Sequence, residues 1–389
     1  MTLWLVGVQV AEPLATLGAW ATFALAAWSL YRGQTWKALT PYWPLGLAAA
    51  WCLIVPAAFG KTPTGTGVAR TLDWLLIPAA AWAASALTSS QWVSSLRAAA
   101  VTALLTSAVA ACQAFGFWPS AEFFAPYAWT KIPFERVYEL APGTDSQFLA
   151  GGLLFHRLRL ANVAAVIAVL LAAAPILRGR ILRFGAAAAS VVGIAVFAQA
   201  RAAAVAVLVV LGVVVGMRMK SAVRALGVLA AGLFAVALVF ALNDSARERF
   251  SRMTSNDEPS SRMALALAGL SAVASAPFTG VGLGAFHASD FASEDAPEEV
   301  RTHKGKAHNQ FLTLAAEAGA PGLSLTLAAF GVAVAQYWKR RRVDATGLSV
   351  AMLFVLLGVL HDPLFHPEPS LALVLGLGVG LRKSDAFSA

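Results

Sequence analysis

Charge is scarce in this chain. Of 389 residues, 13% are Asp, Glu, Lys or Arg and 59% are hydrophobic, where soluble domains carry about 25% charge. With a mean hydropathy of +0.69, that excludes an ordinary soluble domain and predicts a chain that crosses a membrane repeatedly. Backbone polar groups in lipid must be satisfied internally, by helices or by a closed barrel. A barrel needs alternating segments of roughly ten residues. The apolar stretches here are continuous and rich in Ala, Leu and Val, so the fold class is all-α, a polytopic helical bundle. Cysteine is nearly absent: Cys52 and Cys112 both lie in apolar segments, which leaves no disulfide framework or zinc site. No basic region precedes the first apolar residues, so no cleavable signal peptide is expected. Paired aspartates at metal-ligand spacing, HExxH, CxxC clusters and a P-loop are also missing, which removes the common signatures of metal, nucleotide and redox chemistry.

What is present is a series of apolar runs, each near the roughly 20 residues that span a bilayer. They fall near 11–30, 42–59, 71–88, 98–116, 160–177, 182–199, 202–217, 222–242, 309–335, 345–361 and 370–382. Residues 1–10 are apolar and would complete a set of eleven to twelve. The pattern reads as one integral-membrane domain over 1–389, interrupted by polar loops at 117–159 and 243–307, the larger one bearing short helices. The loops at 31–41, 89–97, 178–183, 217–224 and 336–344 and the C-terminal tail together carry fifteen Lys/Arg and, among acids, only Asp344 and Asp385. By the positive-inside rule this set is cytoplasmic. Both long loops then face the other side, the periplasm in a Gram-negative inner membrane. The net charge of +9 is thereby a topology signal, and nucleic acid is not expected as a partner.

The polar residues worth singling out gather on that far side. His308 precedes an apolar helix, and a neutral imidazole there suits a general base, because its pKa lies near neutrality. A plain helix-entry hydrogen bond is the alternative role. Asn309 is placed to cap the helix. Gly319 and Gly322 would admit a neighbouring helix or mark a kink at Gly319-Ala320-Pro321-Gly322. Arg201 interrupts an apolar run at a helix junction, where a charge usually faces a cavity or partner, or else snorkels to the interface. Arg262 opens an amphipathic stretch ending in a Pro- and Gly-rich turn; a solvated loop arginine is the other reading. Gly280-Val281-Gly282-Leu283-Gly284 reads as a tight return toward the membrane, with phosphate contact as a second option. Arg301, His303, Lys304 and Lys306 form a basic run beside Glu294, Asp295, Glu298 and Glu299, able to hold phosphates or simply to balance the acids. Asp362, between His361 and His366, would orient a histidine, meet an arginine or sit in a proline turn. Arg157, Arg159 and Asn162 open the segment after the first loop, either facing the same cavity or anchoring the interface.

The block His308-Asn309, nine residues, Gly319, two residues, Gly322 resembles the signature of the O-antigen ligase family, integral-membrane glycosyltransferases. Arg201 and Arg262 resemble the family's two arginines, and the resemblance covers mainly residues 155–325. Two departures stand out: Gln199-Ala200 replace the hydroxyl residue often found before the first arginine, and the aromatic often found after the second is missing. The resemblance implies a metal-independent, inverting transfer with no cofactor. The donor would be O-antigen on undecaprenyl diphosphate and the acceptor a sugar hydroxyl of lipid A–core, with membrane lipid around both. It implies His308 as base and Arg201 and Arg262 as catalytic diphosphate holders, because a guanidinium fork stays charged and binds phosphate bidentately. Nearby arginines would keep the imidazole neutral. Asn309, Arg157, Arg159, Arg301, Lys304, Lys306 and Asp362 are the further substrate-binding candidates. An O-antigen polymerase and a protein O-oligosaccharyltransferase share this chemistry and remain alternatives. A lipid-linked glycan transporter is the reading from a different class, although no inverted repeat is visible in the chain.

Overall fold

A computed structural model describes residues 1–33, 42–115, 149–154, 156–175, 179–218, 257–302, 305–341 and 343–382, with isolated positions 227, 230 and 234. Among the described residues all regular structure is helical, as the composition predicts. The helices are α1 (Thr2–Val10), α2 (Glu12–Gly33), α3 (Trp43–Ala58), α4 (Gly65–Asp73), α5 (Leu76–Ala86), α6 (Ser89–Ala114), α7 (Arg157–Ala173), α8 (Arg180–Val192), α9 (Arg201–Arg218), α10 (Asp257–Ser275), α11 (Glu298–Thr302), α12 (Gln310–Arg340), α13 (Thr346–Leu360) and α14 (Pro367–Gly380). A π-helical turn, Gly193–Phe197, extends α8.

Two helices form the centre. From Leu160 to Ala173, α7 is buried on nearly every face, and α14 is buried along its whole length. A helix apolar all round belongs inside a bundle, and α14 accordingly packs on α5, α7 and α13. Glycine makes that approach possible at Gly378, where a Cβ would lie 2.6 Å from the Ile77 carbonyl and 2.5 Å from Ala80 Cβ. The outer helices carry their own boundary signals. Thr88 and Gln91 close a capping box at the start of α6, with Gln91 N–H donating to Thr88 Oγ1 (3.3 Å) and Thr88 N–H donating to Gln91 Oε1 (2.9 Å).

Four described helices are long and apolar enough to cross a membrane: Glu12–Gly33, Ser89–Ala114, Arg180–Phe197 and Gln310–Arg340. The run at 71–88 is divided at Trp74-Leu75, where tight turn bonds end α4 and start α5. With nine residues, α1 reaches about 13 Å at 1.5 Å per residue, too short to cross. It folds back on α2 instead, with Trp4 fully buried. The run at 222–242 and most of the loop at 117–159 lie outside the described residues.

Candidate functional site

The site begins with a break in α12. Gly319 has φ +73 and ψ 172, which interrupts the helix and leaves carbonyls without their intrahelical partners. The glycine-rich turn supplies two donors, and the segment before it accepts one bond in return. Val281 N–H donates to Ala316 O (2.8 Å), Gly282 N–H to Glu317 O (3.1 Å), and Ala320 N–H to Pro277 O (2.8 Å). The approach is close enough that a Cβ at Gly280 would lie 2.3 Å from the Glu317 carbonyl. The tight return read from the sequence is therefore present, and the Val281 and Gly282 amides are spent on α12 rather than facing a phosphate. Both readings of the glycine pair hold in part: Gly319 is the kink, and Gly322 lets α3 approach through Trp51 and Cys52.

At the start of the same helix, Asn309 caps α12, its Oδ1 accepting from Phe311 N–H (3.1 Å) and Leu312 N–H (3.0 Å). Its Nδ2 donates to Val359 O (3.3 Å), and Gln310 N–H donates to His361 O (3.1 Å). Gln310 Oε1 accepts from Leu364 N–H at 3.0 Å. These bonds stitch the start of α12 to the loop that follows α13. His308 stands one residue outside the cap, exposed, with φ +54. Among the described residues, only His308 and Gln199 (φ +46) combine a positive φ with a side chain. Such backbone is costly and collects at functional sites. One outlier carries the candidate base, and the other stands two residues before Arg201.

Three sequence candidates bear electrostatically on His361. Burial, then the charges of His308, Arg262 and Arg157, push its pKa down to about 4, so His361 is neutral at pH 7. Asp362 beside it accepts a hydrogen bond from Thr313 Oγ1 (2.7 Å), while its Oδ2 has no hydrogen-bond partner among the described residues. Burial pushes the Asp362 pKa up to about 6; the Thr313 bond, Lys306 and the nearby His308 backbone amide oppose the rise, and Glu317 adds to it. The folded protein thus holds this proton more tightly than the unfolded chain, so stability increases as pH falls through about 6 toward the ordinary value near 4. Asp362→Asn, which cannot titrate, should remove that increase and melt at a higher temperature than wild type at pH 8, as followed in thermal unfolding over pH 4 to 8.

The remaining candidates separate. Arg201 heads α9, just beyond the π turn, where the Ala200 N–H reaches back to Ile194 O (3.0 Å). Ala150 N–H donates to Phe197 O (2.9 Å), which brings the Arg201 junction to the segment leading into Arg157. Arg159 pairs with Glu368 at 3.1 Å. This adjoins a second polar group in which Arg70 pairs with Asp73 (2.8 Å), Ser370 Oγ donates to Asp73 Oδ2 (2.9 Å), and the His156 and His366 rings lie 5.6 Å apart. Asn162 is buried one turn further along α7. Arg301 is exposed, ends α11 and donates to Ala296 O (3.1 Å). Lys304 lies outside the described residues, as does His303. Lys306 is buried: its ammonium donates to Glu317 Oε1 (2.5 Å), Phe286 O (2.8 Å) and Gly284 O (3.2 Å). A lysine has three N–H donors, so it is fully engaged inside the protein rather than offered to a substrate.

Glu317, Thr313 and Gln310 were not singled out from the sequence, yet all three are buried at the heart of this arrangement. A signal was present: they are the polar residues at i, i+3 and i+7 on one face of an otherwise apolar helix.

Residues 186–327 match the family model described as O-antigen ligase. The matched stretch runs from α8 into α12 past the break, and so contains Arg201, Arg262 and His308; Arg157 and Asp362 lie outside it. No curated protein matches the chain.

Proposed function

We propose that this chain, whose residues 186–327 match the family model described as O-antigen ligase, belongs to that family and transfers O-antigen polysaccharide from undecaprenyl diphosphate to a sugar hydroxyl of lipid A–core. The family implies glycosyltransferase-like activity on lipid-linked glycans. The observation that carries the finer reading is His308 itself, exposed on strained backbone one residue before the Asn309 cap of α12, with the charges of Arg262 and Arg157 felt at the neighbouring His361.

In the proposed reaction, His308 accepts the proton of the acceptor hydroxyl. The hydroxyl oxygen then forms a bond to the anomeric carbon as the bond from that carbon to the diphosphate oxygen breaks. Direct displacement inverts the anomeric centre. Negative charge accumulates on the departing diphosphate, and fixed cations aimed at it stabilise the transition state. Arg262 and Arg201 take that role without a metal ion, with Arg157 adding positive potential. Asp362 positions His308 from behind, through the backbone. Asn309 sets the start of α12 and thereby the height of the base. Arg301 and Lys304 are proposed contacts for acceptor phosphates, and Arg159 and Lys306 support the site through Glu368 and Glu317. The site faces the periplasm, on the side opposite the basic loops.

Detergent-purified protein supplied with donor, lipid A–core and chelator tests this. A glycan ladder shifted onto lipid A–core is the expected result. Longer chains left on undecaprenyl diphosphate would instead make the protein a polymerase. No covalent product from competent substrates would overturn the enzyme reading in favour of a transporter.

A further inference from the structure

The outward face of α10 carries a stripe of large apolar residues. Leu265, Ala268, Gly269 and Ala272 are buried, and this face packs against α12, where Gly269 meets Leu312 and Ala307. On the opposite side, Met263 is 62% exposed, Leu267 57% and Leu270 55%. The spacing of four and three puts these residues on one stripe. A loop helix in water would present polar residues there, since amphipathic surface helices keep a charged outer face.

We propose that this stripe docks into the acyl layer of the bilayer, making α10 an interfacial helix that lies on the membrane on the His308 side. Two observations select lipid as the occupant. The first is continuity. Beyond α10 the chain turns through Pro277 and Phe278, and Phe278, 73% exposed, shares an apolar groove with Trp51, Val55 and Phe59 of the α3 end. Along α3, Trp43, Leu47 and Ile54 are also exposed. The stripe therefore continues the outer surface of an apolar helix packed beside the candidate span α12. The second is length. From Met263 to Ser275 the apolar run reaches about 20 Å at 1.5 Å per residue, short of the roughly 30 Å core. Such a helix lies in the interface, its apolar face sunk about 5–10 Å below the headgroups. Arg262 flanks the stripe, so seating the helix holds that guanidinium at the depth of lipid phosphates. The membrane docking itself stands without the catalytic assignment.

The test uses the full chain in lipid nanodiscs, in a Cys52→Ala/Cys112→Ala background. Single cysteines carrying an environment-sensitive fluorophore are placed by Leu267→Cys, by Leu270→Cys and, as a control on the exposed loop, by Asp295→Cys. All three positions are exposed, so the labels leave packing intact; circular dichroism and melting confirm this. Doxyl-labelled lipids should quench positions 267 and 270 several-fold more strongly than 295, and aqueous iodide should do the reverse. Iodide quenching at 267 and 270 equal to that at 295 would overturn the proposal, because the stripe would then face water. So would blue-shifted emission insensitive to both quenchers, which would assign the face to a protein neighbour, including a second copy of this chain.

Discussion

His308→Ala should reduce glycan transfer by about 100- to 10,000-fold, the range for loss of a positioned general base, while the protein folds and melts as before. The side chain is exposed, and the structural work around it is done by others: Asn309 caps α12, Gln310 holds the His361 and Leu364 backbone, and Thr313 binds Asp362. Removing the imidazole therefore costs little packing. Donor binding should persist, because the proposed diphosphate contacts are Arg201 and Arg262, not His308. The measurement is single-turnover transfer beside donor affinity. Lost transfer with retained affinity marks a base; equal loss of both would make His308 a binding residue. His308→Gly should match His308→Ala in rate and melt no lower, since glycine tolerates the positive φ at this position.

Lys306→Met should destabilise the protein by about 3–5 kcal/mol, the cost of stranding one member of a buried ion pair. The ammonium is the joint between three segments: the glycine-rich turn through Gly284 and Phe286, the approach to His308, and α12 through Glu317. Without it, the Glu317 carboxylate faces a buried site alone. Glu317→Gln should cost less, since Lys306 keeps both carbonyls and gains an amide oxygen. The double variant Lys306→Met/Glu317→Leu should recover much of the loss, because an apolar pair of similar volume often replaces a buried ion pair without penalty. Thermal and denaturant unfolding of wild type, Lys306→Met, Glu317→Leu and Lys306→Met/Glu317→Leu forms a double-mutant cycle. An unaltered melt for Lys306→Met alone would contradict a buried, engaged ammonium.

The helical class, the helix boundaries near Asn309 and the tight turn at 280–284 were legible in the sequence, because each rests on local chemistry: apolar runs, a capping side chain and glycine where φ is positive. How the apolar runs divide into helices was less legible. Composition registers an apolar run at 71–88 but not the turn at Trp74-Leu75 that divides it, and it cannot see that α1 folds back on α2. The candidate site was legible as a set of residue types. Their partners were not, because pairing depends on tertiary contact. Lys306 read as part of a basic run exposed to solvent, and only its approach to Glu317, eleven residues away on α12, turns it inward. Arg159 likewise meets Glu368 across 209 positions of sequence. The polar face Gln310, Thr313 and Glu317 could have been read from its spacing alone, as a buried stripe awaiting partners.

Release of the leaving group tests the central claim most directly. Purified protein, donor and acceptor are mixed under single-turnover conditions, and free undecaprenyl diphosphate is quantified beside the glycan on lipid A–core. The account predicts one equivalent of undecaprenyl diphosphate for each glycan joined, with both products falling together in His308→Ala. Donor that crosses or leaves the protein with its glycan still attached, and no undecaprenyl diphosphate set free, would contradict it.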